Sequence, residues 1–110
     1  MEEISSLERF DADHILKFVV APKGEESFYF DMQFKNKEMK FMYFVSNDDP
    51  EVDPIISIFV EDPNKSLMHT RLKKSMGLFT VKTRMKGEHK VIFSNLRNTD
   101  QKEIMFAFYN

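Results

Sequence analysis

Three histidines and one acidic cluster are the residues with types suited to chemistry in this 110-residue chain. His14, His69 and His89 are its only imidazoles, the groups that bind zinc or move a proton near neutral pH. A zinc site needs three or four such ligands converging on one point. These three lie in separate apolar stretches at no shared interval, so no metal is expected from them. His89 falls on the apolar face of its stretch and reads as a structural histidine. Asp48, Asp49, Glu51 and Asp53 offer the carboxylate oxygens that calcium prefers. Pro50 and Pro54 interrupt them, and no glycine provides the tight turn of a calcium loop, so "NDDPEVDP" reads as a plain loop. The absence of cysteine excludes a disulfide, a thiolate metal site and a cysteine nucleophile. G-x-S-x-G, H-E-x-x-H and a Gly-rich phosphate loop are also missing. The expectation is a chain with no catalytic residues, no cofactor and no metal. Asn64-Lys65-Ser66 is an acceptor sequence for N-glycosylation in an expected turn.

The elements that position these residues follow from period-two alternation. In "SFYFDMQF", Phe28, Phe30, Met32 and Phe34 alternate with Tyr29, Asp31 and Gln33, which is a strand with one apolar face. "HILKFVVAP" is a mostly apolar run stopped by Pro22 and Gly24. "MKFMYFVS" is apolar on both faces, as a central strand is. "IISIFVE" ends at "DPNK", a turn with proline at its second position. "SLMHTRL" has the weaker pattern of an edge strand. "KKSMG" turns the chain, with Gly77 expected to supply an unusual backbone angle. "LFTVKTRM" places Phe79, Val81, Thr83 and Met85 on one face, and "KGE" then reads as a hairpin-like turn. "HKVIFS" alternates with His89, Val91 and Phe93 on one side, and "KEIMFAFY" closes the series with Ile104, Phe106 and Phe108 inward. About eight short strands at turn spacings of roughly 8–12 residues indicate an antiparallel sandwich or barrel. The sandwich is the first choice. No helix is expected after residue 14.

Twelve Phe and eight Met provide a core without tryptophan, and 42% hydrophobic against 31% charged residues is the balance of one folded domain. The domain is placed at 14–110. Residues 1–13 read as an N-terminal extension or tail, with Ile4, Leu7 and Phe10 three apart. The net charge of −2 is spread along the chain, with no basic element of the kind that binds nucleic acid. No apolar run of 18 residues spans a membrane, and the acidic start "MEEISSLERFDADH" is not a signal peptide. The polar segments 47–54, 62–66 and 95–101 are candidate contact surfaces, and nothing in the sequence chooses a partner-binding residue among them.

Ser27-Phe28-Tyr29-Phe30-Asp31 resembles the "C-F-Y-E-D" opening of the GOLD domain in the TMED family, the transmembrane cargo receptors of the early secretory pathway. Further pieces follow in the family's order. Tyr43-Phe44-Val45 is similar to its "Y-x-V" strand. Asp53, Ile56-Ser57-Ile58 and Asp62-Pro63-Asn64-Lys65 resemble "D-V-x-x-x-I-x-D-P-x-G". Gly77-Leu78-Phe79-Thr80-Val81 resembles "x-x-F-T-F". The stretch from Gly87 to Asn95 is similar to "G-x-Y-x-F-C-F-S-N", and Lys102-Glu103-Ile104-Met105-Phe106 to "K-x-V-x-F". The resemblance covers about residues 15–109.

This resemblance implies an all-β, jelly-roll-like antiparallel sandwich of about eight strands that works by binding. The positions of Ser27 and Ile92 are cysteines in the family and normally pair. Both are absent here, through loss of the bridge as a unit or replacement of both residues. His89 replaces a family tyrosine and Phe30 a family acid. The implied function is a lumenal interaction domain of a vesicular cargo receptor in ER–Golgi transport. Its partners would be cargo proteins and sibling receptors, in homo- or hetero-oligomers, with a membrane anchor outside this chain. The alternative is a cytosolic GOLD-type adaptor module of a Golgi-associated protein, which the lack of cysteine favours.

Overall fold

The computed structural model describes residues 14–47 and 49–109. The expected tail 1–13, with Ile4, Leu7 and Phe10, lies outside the described residues, as do Asp48, Asn110 and the side chains of His14 and Lys73. The strands are β1 (His14–Val20), β2 (Glu25–Met32), β3 (Glu38–Asn47), β4 (Ile56–Glu61), β5 (Leu67–Lys74), β6 (Met76–Lys82), β7 (Gly87–Ser94) and β8 (Lys102–Tyr109). They form two four-stranded antiparallel sheets. The first has the order β1-β8-β3-β6 and the second β2-β7-β4-β5. This is the all-β sandwich that the alternation predicts. β3 is an inner strand and β5 an edge, as their patterns indicate.

Alternation decides which side chains meet between the sheets. From the first sheet come Phe41 and Tyr43 of β3, Phe79 and Val81 of β6, and Ile104 and Phe106 of β8. From the second come Ile58 and Val60 of β4, and Val91 and Phe93 of β7. Phe41 stacks on Phe79 (centroids 5.1 Å) and on Phe106 (5.6 Å). Phe93 meets Phe106 edge-on at 4.8 Å across the layers. Burial of such rings is the main stabilising force, at about 25 cal/mol per Å² of apolar surface.

Of the strands adjacent in sequence, only β4 and β5 pair directly; every other connection crosses between sheets. The crossings need tight turns, and two use non-glycine residues in the left-handed region, Lys23 (φ 58°) and Asn36 (φ 60°); Lys65 (φ 66°) does the same in the β4–β5 turn. In the Asp62–Lys65 turn, proline sits second, Lys65 N–H donates to Asp62 O (2.8 Å), and the Asp62 carboxylate accepts from the amides of Asn64 and Ser66.

Four expectations are corrected. Gly77 has no unusual backbone angle; it lies inside β6 opposite Tyr43, where a Cβ would come within 2.8 Å of Tyr43 Cε1. Its role is to make room for a phenol ring. "KGE" is not a hairpin turn, because β6 and β7 belong to different sheets; Gly87 (φ 123°) is instead the left-handed residue of a crossing. β6 begins at Met76 and ends at Lys82, so Met85 lies beyond it. Phe34 lies past the end of β2 and is 66% exposed, outside the apolar row it was assigned to.

Candidate interaction surface

One end of the sandwich is closed by a polar cluster. Asn95 is fully buried, and its amide donates to the carbonyls of Ala21 (3.0 Å) and Asp100 (2.8 Å). Asn98 donates to Asn95 Oδ1 (2.6 Å) and to Ile55 O (3.2 Å). Lys102 points inward from β8 and is fully buried, with its ammonium donating to both oxygens of Asp100 at 2.7 and 2.8 Å. Asn47 donates to the same carboxylate (3.0 Å) and to Val52 O (3.0 Å). The Lys102 hydrogen bond holds the Asp100 carboxyl below its ordinary value. The cluster ties the β1–β2 turn, the 47–55 segment and the β7–β8 loop together. Asn95→Ala strips buried carbonyls of their donor, and the expected loss is about 3 kcal/mol, read as a lower urea midpoint at unchanged slope. A loss under about 0.5 kcal/mol would refute the clamp role.

The outer face of the first sheet has an uncommon character. Register places Ile15, Ala107, Met42 and Leu78 in one row across all four strands. The neighbouring row is Lys17, Met105, Phe44 and Met76. The outward face of a sandwich sheet is usually polar. Here Ile15 is 50% exposed, Leu78 59% and Met76 56%, with Lys17, Lys40 and Glu103 among the charged neighbours. The sequence signalled this face through "MKFMYFVS", apolar on both sides, but the row becomes visible only once register brings four strands side by side.

A second concavity lies against β4 of the second sheet. Ile55, Phe59, Leu72 and Leu96 form its apolar wall, with Glu25 and Arg97 as charged lining, and its volume is about 490 Å³.

The residues singled out from sequence are dispersed. His69 stacks on Phe79 (centroids 4.3 Å) and His89 on Phe30 (5.4 Å). His89 is buried, with its Nδ1 bonded to Gly87 O (2.9 Å). Among the described residues no group of three or more His, Asp or Glu is placed to hold a metal. Asp49, Glu51 and Asp53 are exposed in their loop; Asp49 accepts from Glu51 N–H (2.9 Å), a local turn bond. Asn64 is exposed at its turn. Ser27 stands opposite Ile92 in the β2–β7 ladder, and both point away from the core. The 62–66 and 95–101 segments are less open than their polarity implies, since Asp62 and Asn95 are buried. No helix of the described residues is long and apolar enough to cross a membrane.

No curated protein matches this chain. Among solved structures 25 chains match. One is the secreted serine protease VesC from Vibrio cholerae, at 15% identity and a TM-score of 0.55, covering 94% of this chain and 25% of that one. The chain therefore corresponds to a quarter of VesC, and the likeness is one of fold. The model of the emp24/gp25L/p24 (GOLD) family matches residues 15–109, nearly the whole described region. That family implies a role in secretory-pathway cargo transport and is not an enzyme family. With two antiparallel sheets in place and the match running from β1 to β8, the chain belongs to the emp24/gp25L/p24 family of GOLD domains.

Proposed function

We propose that this chain is the lumenal protein-interaction domain of a vesicular cargo receptor in ER–Golgi transport, binding cargo and sibling receptors. Family membership across residues 15–109 carries the reading. The apolar outer face of the first sheet supports a binding role and points to a sibling domain as its occupant. A four-stranded sheet face can pack against another sheet, with side chains interdigitating as they do inside a sandwich.

The test is proximity labelling in cells, with the intact protein compared against a version lacking this domain. Secretory cargo and sibling receptors should vanish from the labelled set when the domain is removed; cytosolic coat or lipid-modifying partners in their place would overturn the reading. Leu78→Asp puts a charge on the β6 side of the proposed contact while altering a side chain that is 59% exposed. It should weaken association with siblings at least tenfold, the size of a typical hot-spot loss, with the fold intact. Unchanged association would remove the outer face from the proposal.

The absence of cysteine favours a second reading, a cytosolic adaptor module. Protease protection in sealed microsomes separates the two: a lumenal domain survives until detergent is added, and a cytosolic one is digested at once.

A further inference from the structure

Three polar side chains meet at the side of the sandwich, between the β5 and β6 edges. Tyr43 points into the sandwich from β3 and is 1% exposed. Its hydroxyl passes beside Gly77, where an added Cβ would lie 3.1 Å from it. Arg71, on the inward face of edge strand β5, donates from Nη2 to Leu78 O at 3.1 Å. His69, two residues earlier on the same face, stacks on Phe79 at 4.3 Å. Gly77, Leu78 and Phe79 are consecutive in β6, so the phenol, the guanidinium and the imidazole line one short stretch of backbone. Phe79 serves all three, with Arg71 5.5 Å above its ring and Tyr43 edge-on at 6.3 Å.

Each of the three keeps one buried polar atom with no hydrogen-bond partner: Tyr43 Oη, Arg71 Nε and His69 Nε2. Two are donors as they stand, and the third becomes one when Nε2 carries the ring proton. Buried donors left unpaired are costly, and three at one place call for a shared acceptor. The charge of the place selects the acceptor. Burial and the Arg71 charge hold the His69 imidazole below its ordinary 6.5, so it is neutral at neutral pH. Burial raises the Tyr43 phenol, more than offsetting the pull of Arg71, so it keeps its proton. One positive charge remains, on Arg71, and no ion pair to it is found among the described residues. A monoanion with two acceptor oxygens balances that charge and takes all three bonds, whereas a dianion overbalances it.

We infer that the β5–β6 edge of this domain holds a carboxylate that accepts from Arg71 Nε, Tyr43 Oη and His69 Nε2. β5 is an edge strand and Arg71 and His69 are half-buried, so the approach is from the side of the sandwich. The carboxylate is either a free small acid or a Glu or Asp side chain on an extended partner segment lying along the edge. The site does not depend on the sibling contact, which uses the opposite, outward face of the first sheet.

The experiment follows the His69 ring signals of the full 110-residue chain by NMR at pH 7.5. Sodium acetate is titrated against sodium chloride at constant ionic strength. Acetate, and not chloride, is expected to shift the His69 signals saturably and to raise the ring's titration midpoint. Tyr43→Phe and Arg71→Gln should each weaken acetate about tenfold or more, the loss of one hydrogen bond to a charged group. Short extended peptides carrying Glu or Gln at their centre distinguish the sources. A Glu peptide saturating well below acetate assigns a partner segment, and one no better than acetate assigns a free acid. A wild-type chain whose His69 signals ignore acetate and the Glu peptide alike, or move equally in both variants, overturns the inference and leaves water as the occupant. The wild-type titration decides this even if a variant fails to fold.

Discussion

Cysteine placed at both Ser27 and Ile92 should close a disulfide and stabilise the domain by about 4 kcal/mol. The two residues are register partners in an antiparallel pair, where opposed Cα atoms lie about 4.5–5.5 Å apart, inside the range a disulfide spans. The bridge closes a loop of roughly 65 residues, long enough for a large loss of unfolded-chain entropy. Both side chains face outward, so the aromatic core is untouched. The gain corresponds to a rise in Tm of about 15–20 °C under oxidising conditions, reversed by reductant. Each single-cysteine variant should form no internal bridge and melt close to the parent. An oxidised double variant that melts with its reduced form would show that these positions are not a disulfide pair in this chain.

The opposite extreme is Phe41→Ala. Phe41 is completely buried at the centre of β3. Its ring stacks on Phe79 and Phe106 and lies 6.0 Å from Phe30 and 6.4 Å from Phe108. Truncation removes the burial of one ring and leaves a cavity that both sheets surround. The expected cost is about 3–5 kcal/mol, a large share of the 5–15 kcal/mol that holds a typical domain folded. Phe41→Leu refills most of the volume and should cost less than half as much. Urea denaturation of the three proteins checks the order. A Phe41→Ala loss below about 1 kcal/mol would mean the rings do not pack as described.

Strand content was legible because inward and outward residues alternate with few exceptions. Phe28 and Phe30, then His89, Val91 and Phe93, follow period two without a break. What alternation cannot convey is pairing. "KGE" has the composition of a hairpin turn, yet it joins strands of different sheets, because pairing is set by which apolar rows fit together across the layers. Gly77 shows the same gap: a local reading assigns it a backbone role, while its actual role is set by a tyrosine 34 positions away in sequence. The polar clamp was hidden for a related reason. Asn95 and Lys102 look like ordinary loop and strand-end residues until β1, β7 and β8 come together. The carboxylate grip was harder still to see, since His69 and Arg71 carry no motif and Tyr43 read as core.

The position of β8 has a consequence for how this protein is made. β8 lies between β1 and β3, so the first sheet stays divided until the last of its four strands has been synthesised. A ribosome adds about 5–20 residues per second, so β1 waits several seconds for its neighbour. During that time only the β4–β5 ribbon has its partner nearby in the nascent chain. Completion of the first sheet therefore waits for β8, and until then the nascent chain exposes strands rich in Phe and Met.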